Sequence, residues 1–235
     1  MNRRDVVLGV IPAAALVSSG LLPRVALARK RPAGTLWQFD NLQTVGGRML
    51  ERVGAPALTA SPWGQAMLFD GVDDGLLIDQ HPLAGAKTFT FEALFRPDGG
   101  AFEQRWFHLE SDEGAAPGKG TTRMMFEIRV VDDKWYLDAF ATGAGYKQTL
   151  IVPEKRFPVG RWYHVAQSFD GTTYRAYVDG VVQMEAPLAF AAQGPGRAAV
   201  GMRMNRVNFF HGAVRAAFFA PRALAPKAFV LRPRT

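Results

Sequence analysis

The stretch that decides the fold is RWYHVAQSFDGTTYRAYVDGVV, residues 161–182. Apolar and polar residues alternate through it, and a period of two is what a β-strand gives. Two Asp-Gly pairs, Asp170-Gly171 and Asp179-Gly180, interrupt the alternation. Because Asp-Gly between two alternating runs is typical of a tight hairpin turn, the stretch predicts three consecutive antiparallel strands.

Two further alternating runs, 123–131 and 134–142, are separated by Asp132-Asp133. Pairing them across a two-residue turn places only apolar side chains on one face, whereas a register shifted by one residue would mix the faces. The polar face then carries four candidate functional side chains: Glu127, Arg129, Tyr136 and Asp138. No stretch shows the period of a long amphipathic helix, so we predict an all-β fold of two antiparallel sheets.

Composition narrows the class of protein. The chain has 235 residues, of which 48% are hydrophobic, enough for one β-sandwich with a sizeable core. It has no cysteine, which excludes disulfides, thiol catalysis and zinc held by thiolates. The formal net charge is +7, but the basic residues are scattered and match no groove-reading motif. We therefore expect no nucleic-acid partner.

The first 28 residues, MNRRDVVLGVIPAAALVSSGLLPRVALA, have the pattern of an export signal. Arg3-Arg4 precedes a short apolar run, and Ala26-Leu27-Ala28 is a small-x-small cleavage site. The paired arginines resemble a twin-arginine signal, and the run is shorter than the ~20 residues of a membrane span. We predict a signal peptide over 1–28, a linker over 29–35, a periplasmic or secreted protein and no membrane span after cleavage.

Four segments then resemble, in order, the laminin-G-like, concanavalin A-like jelly-roll family. They are FDGVDDGLLI (69–78), FTFEALFRP (89–97), RWYHVAQSFDGTTYRAYVDG (161–180) and HGAVRAAFFAPRAL (211–224). The resemblance covers about residues 36–225 and leaves 226–235 as a C-terminal tail. It implies a jelly-roll sandwich of one convex and one concave sheet.

The resemblance also implies a place for calcium, because many relatives bind it between the FDG loop and a late aspartate. Here Asp70 and Asp73 would be the ligands, but Arg215 falls on the position of that aspartate. We predict that Arg215 pairs with Asp70 or Asp73 and replaces the cation, since unneutralised carboxylates would repel one another. No cofactor is therefore expected, with calcium at the two aspartates as the alternative.

Strand alternation suggests a binding face. Trp106 and His108 share one face of their strand and, with Tyr136, could line a concave groove. The alternative is that Trp106 belongs to the core and His108 lies at its rim. The predicted ligand-binding residues are Glu92, Trp106, His108, Glu127, Arg129, Tyr136 and Asp138. Aromatic rings would stack on sugars, and charged groups would bind hydroxyls. We predict non-catalytic binding of a glycan or another cell-envelope ligand, as in a lectin.

Two other functions stay open. Glu127 and Asp138 face each other and could be the acid and base of an enzyme that cleaves glycosidic bonds. The favoured interpretation of this pair is a charge ladder in which Arg123 and Arg129 keep both carboxylates ionised, and the E-x-D-x-x-E run of the laminarinase-type relatives is missing. The third possibility is an adhesion or scaffold domain that binds a protein partner.

Overall fold

The computed structural model describes residues 32–114, 116 and 118–233. The strands in chain order are β1 (Thr35–Gln38), β2 (Thr44–Val45), β3 (Arg48–Met49), β4 (Glu51–Val53), β5 (Ala57–Ser61), β6 (Gly64–Asp70), β7 (Gly75–Ile78), β8 (Phe89–Pro97), β9 (Glu103–Ser111), β10 (Arg123–Val131), β11 (Lys134–Gly143), β12 (Tyr146–Ile151), β13 (Phe157–Pro158), β14 (Tyr163–Phe169), β15 (Thr173–Val178), β16 (Val181–Pro187), β17 (Gly196–Val200) and β18 (His211–Ala220). A 3₁₀ helix spans Pro226–Ala228. No helix among these residues is long and apolar enough to cross a membrane. The predicted signal peptide lies outside the described residues.

The strands form two eight-stranded sheets. Sheet I has the order β16-β15-β14-β8-β18-β6-β5, with β1 also paired to β18. Sheet II has the order β12-β11-β10-β9-β17-β7-β4, with β13 also paired to β11, and β2 and β3 form a separate ladder. Neighbouring strands run antiparallel, so the predicted all-β architecture of two antiparallel sheets is confirmed.

The predicted meander is β14-β15-β16 in sheet I. Asp179 and Gly180 both have positive φ, 49° and 77°, the backbone of a type I′ hairpin turn. At the first turn the Asp170 carboxylate accepts hydrogen bonds from the backbone N–H groups of Thr172 and Thr173. The first hairpin is therefore closed by hydrogen bonds to the Asp170 side chain, and the second by a type I′ turn.

The core lies between the sheets and is rich in aromatic rings. The Trp106 ring stacks between Phe95 of sheet I, at 4.4 Å, and Phe126 of sheet II, at 5.3 Å. Trp106 faces inward because β9 contains a bulge, in which Arg105 and Trp106 together oppose Glu127 of β10. The bulge breaks the alternation, so Trp106 and Phe107 both face the core and Arg105 faces outward.

The outer faces of the two sheets are covered differently. The C-terminal segment, residues 221–233, packs over sheet I, and Phe229 lies 5.2 Å from the rings of both His164 and Tyr177. The predicted tail over 226–235 is therefore packed on the domain through residue 231. On sheet II a crossing loop, residues 201–210, passes over β9 and leaves the neighbouring strands β10 and β11 open.

Candidate functional site

A polar cavity of about 300 Å³ opens on the outer face of sheet II. Strands β10, β11 and β12 supply its floor, and β9 and the crossing loop supply one wall. Five cationic side chains, two carboxylates and three other residues line this outer-face cavity: Arg105, Arg123, Arg129, Lys147, Arg203, Glu127, Asp138, Met125, Phe140 and Thr149.

Strand register brings the two carboxylates of the outer-face cavity together. Glu127 of β10 stands directly opposite Asp138 of β11, as the sequence predicted. The bulge in β9 turns Arg105 toward the same place, and its Nε donates to Glu127 Oε1 at 2.8 Å. Both carboxylates are almost fully buried, with side-chain exposures of 5% and 3%, so each needs a cationic partner.

Arg129 provides the second partner. Its Nη2 lies 2.7 Å from Asp138 Oδ2 and 3.2 Å from Glu127 Oε2. One guanidinium nitrogen thus bridges the two carboxylates, where a glycosidase leaves a gap for its substrate. The predicted charge ladder is present with two changes: Arg105 rather than Arg123 completes it, and it does not keep the pKa of Asp138 low. Arg123 donates to the Gly120 carbonyl and lies 5.4 Å from the Phe140 ring.

The surroundings of Asp138 disfavour its ionised form. Burial, followed by the neighbouring charge of Glu127, raises the pKa of Asp138 to about 7, although Arg129 opposes this shift. Asp138 Oδ1 is buried and has no hydrogen-bond partner among the described residues. A carboxyl group with these properties can hold a proton at neutral pH.

The crossing loop is held in place by His108. The backbone N–H of Met204 donates to His108 Nδ1 at 3.0 Å, and His108 is fully buried beneath the loop. Burial, followed by the charge of Arg123, lowers the pKa of His108 well below its usual value, so the ring is neutral. A neutral ring can accept the loop N–H, and this anchor places Arg203 at the wall of the outer-face cavity.

The structure brings together four of the seven predicted ligand-binding residues. Glu127, Arg129, Tyr136 and Asp138 share the outer face of sheet II, with Tyr136 opposite Arg129 but outside the cavity lining. The prediction for Trp106 is wrong, because the bulge in β9 directs it into the core. The prediction for His108 is also wrong, since the crossing loop covers it.

Glu92 lies on the other sheet. Its carboxylate contacts His164 Nε2 at 3.0 Å and accepts the backbone N–H groups of Val230 and Leu231 at 3.1 and 2.9 Å. Neither Glu92 nor His164 is exposed to solvent. The C-terminal segment therefore seals this pair, and Glu92 is structural instead of ligand-binding.

The acidic loop after β6 holds three carboxylates, Asp70, Asp73 and Asp74, with ligand oxygens within 4.8 Å of one another. Asp74 accepts backbone N–H groups with both oxygens, and Asp70 Oδ1 accepts three more. These hydrogen bonds occupy carboxylate oxygen atoms that a calcium ion would need as ligands. The predicted pairing of Arg215 is wrong, because Arg215 donates to the Trp63 carbonyl at 2.9 and 3.1 Å from a bulge in β18.

Sequence reasoning missed three cationic residues of the outer-face cavity: Arg105, Lys147 and Arg203. It also missed an aromatic pair at one end of the sandwich. The rings of Trp63 and Trp162 meet edge to face at 5.9 Å, and Trp63 is 39% exposed. Each tryptophan lies beside a glycine-containing turn, which is an unusual place for a large apolar side chain. This position could have identified the pair from the sequence.

A larger concavity of about 680 Å³ lies on the other side of the crossing loop. Two acidic and two basic side chains line it: Glu51, Asp79, Arg197 and Arg206. Arg206 pairs with Glu51 at 3.1 Å, and both side chains are more than half exposed. Its charges are therefore balanced and solvated, unlike those of the outer-face cavity.

Similar folds occur in solved structures of carbohydrate-active proteins and toxins, whereas no curated protein matches the sequence. Domain 4 of AbnA, a GH43 extracellular arabinanase from Geobacillus stearothermophilus solved in complex with arabinotriose, has a TM-score of 0.62 at 15% identity, over 85% of this chain and 97% of that one. The binding domain of Paraclostridial Mosquitocidal Protein 1 has a TM-score of 0.59 at 10% identity, over 83% of this chain and 50% of that one. Trypanosoma rangeli sialidase in complex with the inhibitor DANA has a TM-score of 0.53 at 13% identity, over 83% of this chain and 31% of that one.

At these identities the likeness concerns the fold alone. The chain spans nearly all of the arabinanase domain, half of the toxin chain and a third of the sialidase chain. A family model described as concanavalin A-like lectin/glucanases superfamily matches residues 70–228, from the acidic loop to the C-terminal segment. The predicted resemblance is confirmed: the chain belongs to the concanavalin A-like lectin/glucanase superfamily.

Proposed function

We propose that the protein is a non-catalytic carbohydrate-binding domain that holds its ligand in the outer-face cavity. The observation that carries this proposal is the cavity itself, an opening of about 300 Å³ on a face that the described residues leave uncovered. Its carboxylates and guanidinium groups can make the charge-assisted hydrogen bonds that sugar hydroxyls accept and donate. The similar arabinanase domain solved with arabinotriose supports this use of the fold.

Recognition would depend on hydrogen bonds more than on stacking. Trp106, the predicted stacking residue, is in the core, and Arg123 lies over the ring of Phe140. Glu127, Asp138 and Thr149 offer oxygen atoms, and the cationic residues offer N–H groups. The cavity would therefore recognise the ligand mainly through its hydroxyl and charged substituents.

A glycan array tests this proposal with three proteins. Thr149→Trp fills the outer-face cavity without changing its charge, and Trp162→Ala removes half of the Trp63–Trp162 pair as a matched control. We expect selective binding by wild type and Trp162→Ala, and loss by Thr149→Trp. Retained binding by Thr149→Trp would overturn the proposed site. No binding by any protein would favour a protein partner instead.

Cleavage of a glycan is the second candidate, favoured by one observation: the pKa of Asp138 is raised to about 7, as a general acid requires. In that mechanism Asp138 would protonate the leaving oxygen and Glu127 would activate water. The bridging position of Arg129 argues against it. New reducing ends released from a bound glycan by wild type, but not by Asp138→Asn or Glu127→Gln, would establish the enzyme.

Export to the periplasm or the medium, by the twin-arginine route, is part of the same proposal, with a cell-envelope glycan as the expected ligand. It rests on the pattern of residues 1–28. N-terminal sequencing of the protein purified from its host should begin at Arg29. A chain that retains Arg3-Arg4 in the cytoplasm would contradict this part of the proposal.

A further inference from the structure

The charges of the outer-face cavity are unbalanced. Arg105 and Arg129 share the carboxylates of Glu103, Glu127 and Asp138. The other three cationic lining residues, which are Arg123, Lys147 and Arg203, form no ion pair within the described part of the chain. The cavity therefore has an excess of positive charge that its own carboxylates do not neutralise.

Two of these unpaired cations are close together and partly desolvated. Burial, followed by the charge of Arg203, lowers the pKa of Arg123 from its usual value. The Nε atoms of Arg123 and Arg203 are buried and have no hydrogen-bond acceptor among the described residues. Arg123 also donates to the Gly120 carbonyl and lies near the carboxylates of Glu110 and Glu127. The two neighbouring guanidinium groups still repel each other, and an anion bound in the cavity would relieve this repulsion.

We propose that the outer-face cavity recognises an acidic saccharide, and that Arg123, Lys147 and Arg203 bind its carboxylate or sulfate group. This inference rests on the proposed function and specifies its ligand class. Guanidinium groups match planar or tetrahedral oxyanions with paired N–H donors, which ammonium groups do less well. The crossing loop delivers Arg203 from one side and β12 delivers Lys147 from the other.

The saccharide ring would lie over the paired side of the cavity. There Glu127 and Asp138 are fixed by Arg105 and Arg129 and can accept ring hydroxyls. One half of the cavity thus supplies oxyanion binding, and the other half supplies hydroxyl recognition. A neutral saccharide would use only the second half.

Two matched pairs of probes test the ligand class by calorimetry. Oligogalacturonate and its methyl ester differ in the carboxylate, and dextran sulfate and dextran differ in the sulfate. The variants are Arg203→Gln, Arg123→Gln and the control Arg206→Gln, which lies in the same loop but faces the larger concavity. Arg203→Lys tests the need for a guanidinium group, and thermal unfolding checks that every variant is folded.

We expect one acidic probe, but neither neutral one, to bind wild type, and roughly tenfold weaker binding for Arg203→Gln and Arg123→Gln. Arg206→Gln should bind within about twofold of wild type, and Arg203→Lys should recover part of the loss. Raising NaCl from about 50 to about 500 mM should weaken binding of the acidic probe to wild type more than its binding to Arg203→Gln or Arg123→Gln.

Three outcomes would overturn the inference. An equal loss with Arg206→Gln would show general attraction of polyanions to a basic protein. Equal binding of the acidic and neutral probes would leave the proposed carbohydrate function intact and refute the charge requirement. Binding of inorganic sulfate or an acidic peptide, with no saccharide bound on the array or in calorimetry, would refute both the ligand class and the carbohydrate function.

Discussion

The outer faces of the two sheets carry similar chemistry with opposite exposure. On sheet I, Glu92 contacts His164 beneath the C-terminal segment. On sheet II, Glu127 and Asp138 contact Arg129 in a cavity that opens to solvent. A buried carboxylate with a basic partner is therefore structural on one face and a candidate binding group on the other. The difference lies in what covers each group, because the chain supplies its own partner for Glu92.

The largest effect should come from removing the sealed carboxylate. Glu92→Ala leaves His164 and the N–H groups of Val230 and Leu231 without an acceptor in a dry environment. We expect the free energy of unfolding to fall by about 3–5 kcal/mol in urea titrations. Glu185→Ala, which breaks a pair with Arg175 on a carboxylate that is 55% exposed, should cost below about 1 kcal/mol. Equal losses would show that the C-terminal segment does not seal sheet I.

The C-terminal segment that covers sheet I should contribute nearly as much to the free energy of unfolding. Phe229→Ala removes the ring that packs on His164 and Tyr177, and we expect a loss of about 3 kcal/mol. Phe102, which is 57% exposed, offers a matched control, and Phe102→Ala should change stability by at most about 0.5 kcal/mol. If Phe229→Ala behaved like Phe102→Ala, residues 226–233 would be a tail after all.

The open carboxylates should affect stability less and in a pH-dependent way. Asp138 faces Glu127, Arg129 and Arg105, and its pKa is raised to about 7. The folded protein then holds a proton that the unfolded chain releases near pH 4. Asp138 therefore contributes a decline in the free energy of unfolding as pH rises from about 4 to about 7, opposed by the rise that the neutral, buried His108 contributes. We expect Asp138→Asn to remove about 1–2 kcal/mol of that decline.

A matched control for this pH effect is Asp170. Hydrogen bonds from Arg175 lower the pKa of Asp170, so its contribution to stability is present above pH 4 and is lost in acid. Asp170→Asn should therefore leave the decline between about pH 5 and pH 7 unchanged. A pH dependence between about pH 5 and pH 7 that Asp138→Asn leaves unchanged would contradict the raised pKa of Asp138.

Calcium should have the smallest effect. Backbone N–H groups already occupy both oxygens of Asp74 and one oxygen of Asp70. We therefore expect about 1 mM CaCl₂ to change the melting temperature by less than about 1 °C. An increase of several degrees that Asp73→Asn abolishes would establish a calcium site at the acidic loop.

Local pattern predicted the strands well. The Asp-Gly turns and the alternation of residues 161–182 gave the meander, and the apolar face of 123–142 gave the observed register of β10 and β11. These features are encoded by neighbours in sequence, since a one-residue shift would expose the core face. The same reasoning placed Glu127 opposite Asp138.

Reasoning from alternation failed where long-range contacts decide the outcome. The run around Trp106 alternates without interruption, and the bulge arises only when β9 pairs with β10 and Gln104 binds the carbonyls of Gly99 and Ala101. Alternation placed Glu92 on a polar face but carried no information about which sheet that face belonged to or what covered it. Arg203 and Lys147 reach the cavity from a loop and an edge strand, and no motif joins them.

The most direct test of the central claim is a map of the bound ligand by NMR. Amide and indole signals of wild type would be recorded with the saccharide that binds best on the array. The account predicts shifts at Arg123, Thr149 and Arg203, with the indole signals of Trp63 and Trp162 unchanged. Shifts of those two indoles with unchanged cavity amides would place the ligand at the Trp63–Trp162 pair and contradict the account.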